Sequence, residues 1–359
     1  MTNKFLTFIL CAAVFSFASC SSDDTPTEPI IIVIDGAAIA PEVGGPNEPN
    51  QVYVDLSTNT TTAVKRDSWD LGFYSGTEFR VTINGSLYMA AAQLTETNID
   101  AVTATTAEVQ ELQTQVAVGT FDDANTAFVD SPDGLITTTA ISEISTTEAS
   151  NNVYLLNLGY EIGTETPATG SVDISDDTRG WKKIRILKDG NNYVLQYADL
   201  DASTHKEITI SKSATHNFTY FSFNTESEVV VAPEKKNWDL NFTVFTNEIS
   251  GHGSYGFSDF VVNNVKSSAL VYMIDTDVDA YTYDSFSLTD VVEANFTNDQ
   301  RSVGSSWRNT APGEPLGHYA NVFYVVNDTD GNLYKLQFLT LTNADGERGH
   351  PEFIYSLLQ

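Results

Sequence analysis

Histidine is the first place to look for metal or acid–base chemistry, and this chain has five: His205, His216, His252, His318 and His350. No two keep an H-x-x-x-H or H-E-x-x-H interval, the spacings that turn two imidazoles toward one zinc ion. A zinc hydrolase therefore has no footing. No G-x-S-x-G turn presents a serine nucleophile. Gly251-His252-Gly253-Ser254-Tyr255-Gly256 has the G-x-G-x-x-G spacing of a dinucleotide loop. That loop must open a helix, and the run that follows, Phe257-Ser258-Asp259-Phe260-Val261-Val262, is strand-like, so the segment reads as a glycine-rich turn. Asp275, Asp277 and Asp279 alternate like the start of a calcium loop. Ala280 and Phe286 stand where that loop needs glycine and glutamate, which leaves a solvated strand edge. The 48 carboxylates mark no particular pair for glycoside hydrolysis. An acidic-site hydrolase therefore ranks last among the functional readings.

Cysteine chemistry is confined to the N-terminus. Lys4 and the apolar run 5–17 have the form of an export signal, and Phe17-Ala18-Ser19-Cys20 resembles a lipobox. Residues 1–19 are expected to be a lipoprotein signal peptide, with Cys20 lipidated after cleavage. Cys11 leaves with the signal, so no thiol remains for a disulfide, a metal or a nucleophile. Ser21-Ser22-Asp23-Asp24 resembles the acidic tract of surface-exported lipoproteins. Residues 20–50, with five prolines and Gly44-Gly45, read as a tether that packs no core. Within it, Ile30-Ile31-Ile32-Val33-Ile34 has the character of a short strand. No later apolar run reaches the roughly 20 residues that span a bilayer. The expected location is the outer membrane, lipid-anchored and facing outward, with contact to the membrane only through the anchor.

The formal charge is −30 and the pI about 4.2. Such a surface repels phosphate backbones and excludes nucleic acid as a partner. Thr, Ser, Asn, Val, Tyr and Phe dominate, which favours strands and turns.

The pentapeptide Trp69-Asp70-Leu71-Gly72-Phe73 returns as Trp238-Asp239-Leu240-Asn241-Phe242, 169 residues later. Val153-Tyr154-Leu155-Leu156 and Val322-Phe323-Tyr324-Val325 keep the same offset. Two landmarks at one interval indicate duplication. The fold class expected is all-β: two tandem antiparallel modules, 51–210 and 211–359. Both tryptophans are expected in cores. In the first module, strands are predicted at 51–58, 69–73, 79–83 and 153–158, with one helix over 106–118 and a long loop over 120–152. A hairpin is predicted around Asp189-Gly190, and residues 160–179 form an insertion of low hydrophobicity. In the second module strands are predicted at 220–223, 229–231, 238–245, 257–262, 269–274, 286–291, 322–326, 333–341 and 353–357.

Thr219-Tyr220-Phe221-Ser222-Phe223, Asn237-Trp238-Asp239-Leu240, Val322-Phe323-Tyr324-Val325 and the run from Asp330-Gly331-Asn332 to Phe338 together resemble the HmuY family of haem-binding lipoproteins of Bacteroidetes. The match is fullest over 218–359, and 51–210 carries a weaker copy. The resemblance implies a haem b cofactor held between two axial side chains. The implied ligands are His318, which follows Trp307, and Met273, with Arg308 meeting a propionate. It further implies haem or haem-carrying host proteins and an outer-membrane haem transporter as partners, a possible homo-oligomer, and capture for iron acquisition without catalysis. The alternative is a β-rich surface scaffold for a non-haem partner or a glycan.

Overall fold

The computed structural model describes residues 35–359. The signal segment, Cys20 and the run 30–34 lie outside the described residues. The chain enters on β1 (Gly36–Ile39) and a hairpin, β2 (Asn50–Asp55) and β3 (Thr60–Lys65). After the first Trp-Asp come β4 (Leu71–Tyr74), β5 (Val81–Ile83), β6 (Ala90–Gln93), β7 (Val153–Asn157), β8 (Trp181–Asp189) and β9 (Asn192–Asp199). The pattern then restarts with β10 (Lys206–Ser211) and the hairpin β11 (Phe218–Ser222) and β12 (Ser227–Val229). After the second Trp-Asp come β13 (Leu240–Ile249), β14 (Gly253–Asn263) and β15 (Leu270–Asp275). A two-residue ribbon, β16 (Arg308–Asn309) with β17 (Gly317–His318), precedes β18 (Val322–Asn327), β19 (Leu333–Thr342) and β20 (Arg348–Leu357). One α-helix, α1 (Ala107–Leu112), occurs among the described residues, inside the wider span predicted for it.

The strands form two bodies, each a five-stranded sheet over a four-stranded one. The first body has β10-β9-β8-β7-β6 over β12-β11-β4-β5, and the second has β1-β20-β19-β18-β15 over β14-β13-β2-β3. Leu71, Phe73 and Phe221 meet Ile184, Tyr193 and Leu195 in one core. Val52, Leu240 and Phe242 meet Tyr324, Leu336 and Phe353 in the other. Each five-stranded sheet is also covered on its outer face. Val109 and Val116 lie over Val153, Leu155 and Ala92 in the first body, and Phe286 and Phe296 lie over Phe323 and Tyr272 in the second. Burial on both faces is why β7 and β18 read as unbroken apolar runs. The strand predicted at 286–291 is part of this cover: Phe286 anchors it, and Ser287 and Asp290 cap a turn at Leu288–Asp290.

The packed bodies do not follow the repeats at 51–210 and 211–359. They are 66–231, and 35–65 together with 232–359, because each repeat hands its leading hairpin to the other. β2 pairs with β13 of the second copy, and β11 pairs with β4 of the first. The same trade holds at the edges, where β1 pairs with β20 and β10 with β9. The buried aspartates of the two pentapeptides lock it. Asp70 Oδ2 accepts from Phe223 N at 2.7 Å, and Asp239 Oδ2 accepts from Leu56 N at 2.9 Å. Their own amides donate to Phe221 and Val54, each at 2.8 Å. The described part of the tether is also structural: Ile39 and Val43 are buried in the second core.

The two aspartates differ in one respect. Asp70 Oδ1 lies 2.8 Å from the guanidinium of Arg179, and both side chains are buried. Asp239 has only backbone donors, Leu56 N and Thr329 N, and burial pushes its pKa up to about 7. Asp70→Asn strands a buried guanidinium and should cost about 3–5 kcal/mol. Asp239→Asn, which loses one acceptor, should cost about 1–3 kcal/mol. In the folded state Asp239 holds a proton that the unfolded chain has released, so unfolding releases a proton between its ordinary pKa of 3.8 and about 7. Stability from this group therefore falls as pH rises through that window, and Asp239→Asn should flatten that part of the curve. Urea melts at several pH values check all three statements. The exchange itself makes a separate prediction. Fragment 66–231 should melt cooperatively, whereas 51–210, which lacks β11 and β12, should not. Equal cooperativity in the two fragments would contradict the exchange.

Candidate functional site

The ribbon sets Arg308 directly across from His318. Paired residues on antiparallel strands share a face, so their side chains stand together. The His318 ring is half-buried and makes no hydrogen bond among the described residues. Burial lowers its pKa, which favours a neutral imidazole with a nitrogen able to donate an electron pair. Met273 lies on β15, paired with Tyr324, and its side chain is 43% exposed. Strand alternation puts it on the sheet face of Val271 and Tyr324, the face that Trp307 covers further along. Two hydrogen bonds tie its strand end to the segment that follows the ribbon: Thr276 N donates to Asn321 O at 2.8 Å, and Asn321 Nδ2 donates to Asp275 Oδ1 at 3.0 Å. Thus the strand that carries Met273 ends against Asn321, three residues after His318, and His318 and Met273 each keep an uncommitted donor atom. Exposed Leu316 and Tyr319 flank His318 in the chain.

Arg308 is more constrained. Its Nη2 donates to Ser258 O at 2.6 Å and its Nη1 to Thr310 Oγ1 at 2.9 Å. Its Nε stands 3.7 Å from Asp259 Oδ2. Arg348 binds the same carboxylate oxygen, through Nε at 3.1 Å and through Nη2, and Nη2 also donates to Ser258 Oγ at 2.6 Å. Asp259 has a left-handed φ of 47°. Its amide is held by both oxygens of Glu48, at 3.0 Å each. Burial, with the Asp259 carboxylate second, pushes the Glu48 carboxyl well up. No spacing in the sequence links positions 48, 259, 308 and 348, so only the fold gathers Arg348 and Glu48 around Arg308 and Asp259.

The tryptophans of the pentapeptides are half-buried, not in either core. Each packs edge-on against a tyrosine of the exchanged hairpin: Trp69 on Tyr220 at 4.9 Å and Trp238 on Tyr53 at 5.0 Å. They line a cavity of about 200 Å³ between the bodies. Gln51, Asn241 and Asn263 line it too, and in these three and both tryptophans one buried polar atom has no hydrogen-bond partner.

The glycine-rich run Gly251–Gly256 does turn a hairpin, β13–β14, as predicted. It also docks that hairpin on the first body. Ser254 N and Oγ donate to Asn125 Oδ1 at 2.6 and 2.8 Å. A Cβ at Gly256 would stand 2.1 Å from the Tyr88 ring, so only glycine lets the tyrosine lie against this backbone. Asp275 and Asp277 both accept from Asn321 and make a local turn. No group of three or more His, Cys, Asp or Glu suited to a metal ion is found among the described residues.

The chain is all-β and its fold is built from two copies of one unit. The family model described as HmuY protein matches residues 47–207 and again 214–355, and the chain belongs to the HmuY family. That family is haem-binding and non-enzymatic. A crystal structure of an apo HmuY analog of Tannerella forsythia is similar at 10% identity, over 91% of this chain and 98% of that one, with a TM-score of 0.24. No curated protein matches.

Gly256→Ala should drive the Tyr88 ring off the hairpin at a cost of about 1–3 kcal/mol. Combining it with Tyr88→Ala should cost less than the sum of the two single changes, because the clash is removed with its partner. Denaturation midpoints of the four proteins in this cycle test the contact, and strict additivity would deny it.

Proposed function

We propose that this protein is a lipid-anchored, outward-facing haem-capture protein of the outer membrane that serves iron acquisition and does no chemistry on its ligand. The observation that carries the reading is that both repeats of the chain belong to a haem-binding family, and the half-buried, unbonded imidazole of His318 supports it. Haem iron takes imidazole nitrogen or thioether sulfur as axial ligand. His318 and Met273 would hold the group from either side, and Leu316 and Tyr319 would shield its rim. Arg308, already tied to Asp259, would meet a propionate only with the proton donors left over from that pair. Anchoring rests on Phe17-Ala18-Ser19-Cys20 and the acidic tract after it. A transporter that takes the haem onward, and haem-carrying host proteins as its source, complete the proposal.

The first body lacks the pair. Its strand β6 carries Gln93 at the place that Met273 has on β15, counted from the matching Asn84 and Asn264 turns. One site per chain follows.

A second reading has its own observation. The cavity of Trp69 and Trp238, with unpaired amide and indole groups, suits a small neutral polyhydroxylated ligand such as a sugar, which offers both donors and acceptors and an apolar ring face.

Hemin added to the mature chain should produce one Soret band per protein. His318→Ala should remove or shift it, Met273→Ala should shift it, and Gln93→Ala should leave it unchanged. A Soret band unaffected by His318→Ala would end the ligand assignment, and no band at micromolar hemin would favour the sugar reading.

A further inference from the structure

A cleft of about 550 Å³ lies between the two bodies, apart from the end of β15 where Met273 stands. The first body contributes Tyr88, Tyr160, Val172 and Ile174 to its walls, and the second contributes Tyr255 and Phe257. Its charged lining consists of Arg308 and Arg348 alone, and no carboxylate lines it. In a chain with 48 acidic and 18 basic residues that is a local inversion of charge.

The two guanidiniums share a single carboxylate oxygen, Asp259 Oδ2. One negative charge between two positive ones leaves an excess of one. Arg348 Nη1 donates to nothing among the described residues. The neighbouring Glu48 carboxyl, displaced upward by burial, does not restore the balance. The insertion 160–179 explains itself here. It is mostly polar, yet it places Tyr160, Val172 and Ile174 on the cleft wall. It is fastened there by Asn47 Nδ2, which donates to Glu165 O at 2.9 Å and Asp173 O at 3.0 Å, and by Arg66 donating to Ile174 O.

We propose that this cleft binds an amphipathic carboxylate, a flat apolar body lying among the tyrosines with its acid group on Arg308 and Arg348. Aromatic walls bury the flat body, and the shared-carboxylate pair supplies a fixed, partly desolvated positive site that prefers a planar anion. The site goes beyond haem capture: it shares Arg308 with that reading, but it uses neither His318 nor Met273 and needs no iron.

The test uses 1-pyrenebutyrate and its uncharged counterpart 1-pyrenebutanol, titrated by fluorescence into the whole mature chain. The acid should bind saturably, about ten-fold or more tighter than the alcohol, a difference of about 1.4 kcal/mol per ten-fold. Arg348→Gln should erase the preference, Tyr160→Ala should weaken both ligands, and His318→Ala should change neither. Equal affinity of acid and alcohol for the unaltered protein, or no saturable binding of the acid, overturns the proposal even if the arginine variant fails to fold. Loss of the hemin signal in His318→Ala with acid binding intact separates this site from the haem reading.

Discussion

The structure depends on two buried carboxylates, each belonging to one repeat and holding the hairpin of the other. An aspartate removed from water needs donors, and a hairpin end has backbone amides without partners. Asp70 and Asp239 satisfy both needs across the repeat boundary. Each hairpin then pairs with its host strand over three or four residues. The tyrosine it carries, Tyr53 or Tyr220, meets the host's tryptophan. Neither body can be assembled from one repeat alone, so the duplication is welded into a single unit.

The exchange also decides where binding surface arises. Two bodies joined only by a linker would each bury a core and face solvent elsewhere. Here the crossing segments draw the bodies together, and voids form where their surfaces do not match. The cavity around Trp69 and Trp238 and the cleft around Arg308 and Arg348 both lie at that junction. The long hairpin β13–β14 of the second repeat, which has only the short β4–β5 as its counterpart, spans the junction and rests on Gly85, Tyr88 and Asn125. The extra length of the second copy's hairpin thus lies in contact with the first copy.

Local pattern carried much of this in advance. The pentapeptide pair and the apolar runs of β7 and β18 revealed the duplication, and the hairpin at Asp189-Gly190 and the strands from β18 to β20 were legible from alternation and turn residues. What alternation cannot express is the partner of a strand. The residues of β2 fit a sheet beside β4 or beside β13, because both host strands open on the same apolar alternation, Leu71 and Phe73 or Leu240 and Phe242. The choice is made by chain path, so the boundary near residue 210 was visible as sequence and invisible as packing. The tryptophans show the same limit: an indole suits a core and an inter-body seam alike. The segment 286–291 has strand composition, but one phenylalanine anchors it over a sheet and a capped turn takes the rest.

The candidate binding residues divide along the same line. His318 and Met273 could be singled out because imidazoles and thioethers are scarce here and the HmuY resemblance gave their windows. Arg348 could not, since nothing in its neighbourhood distinguishes it from any other arginine before a β-strand. Its importance is relational: it shares Asp259 with Arg308, and Asp259 is held in a left-handed turn by a glutamate 211 positions earlier in the chain. A charge pair that is balanced would be structural and silent. Two guanidiniums on one carboxylate are not balanced, and the protein keeps that imbalance against an aromatic wall while the rest of its surface is acidic. Such an arrangement is stabilised only partly from within, and the remainder is what an anion would supply.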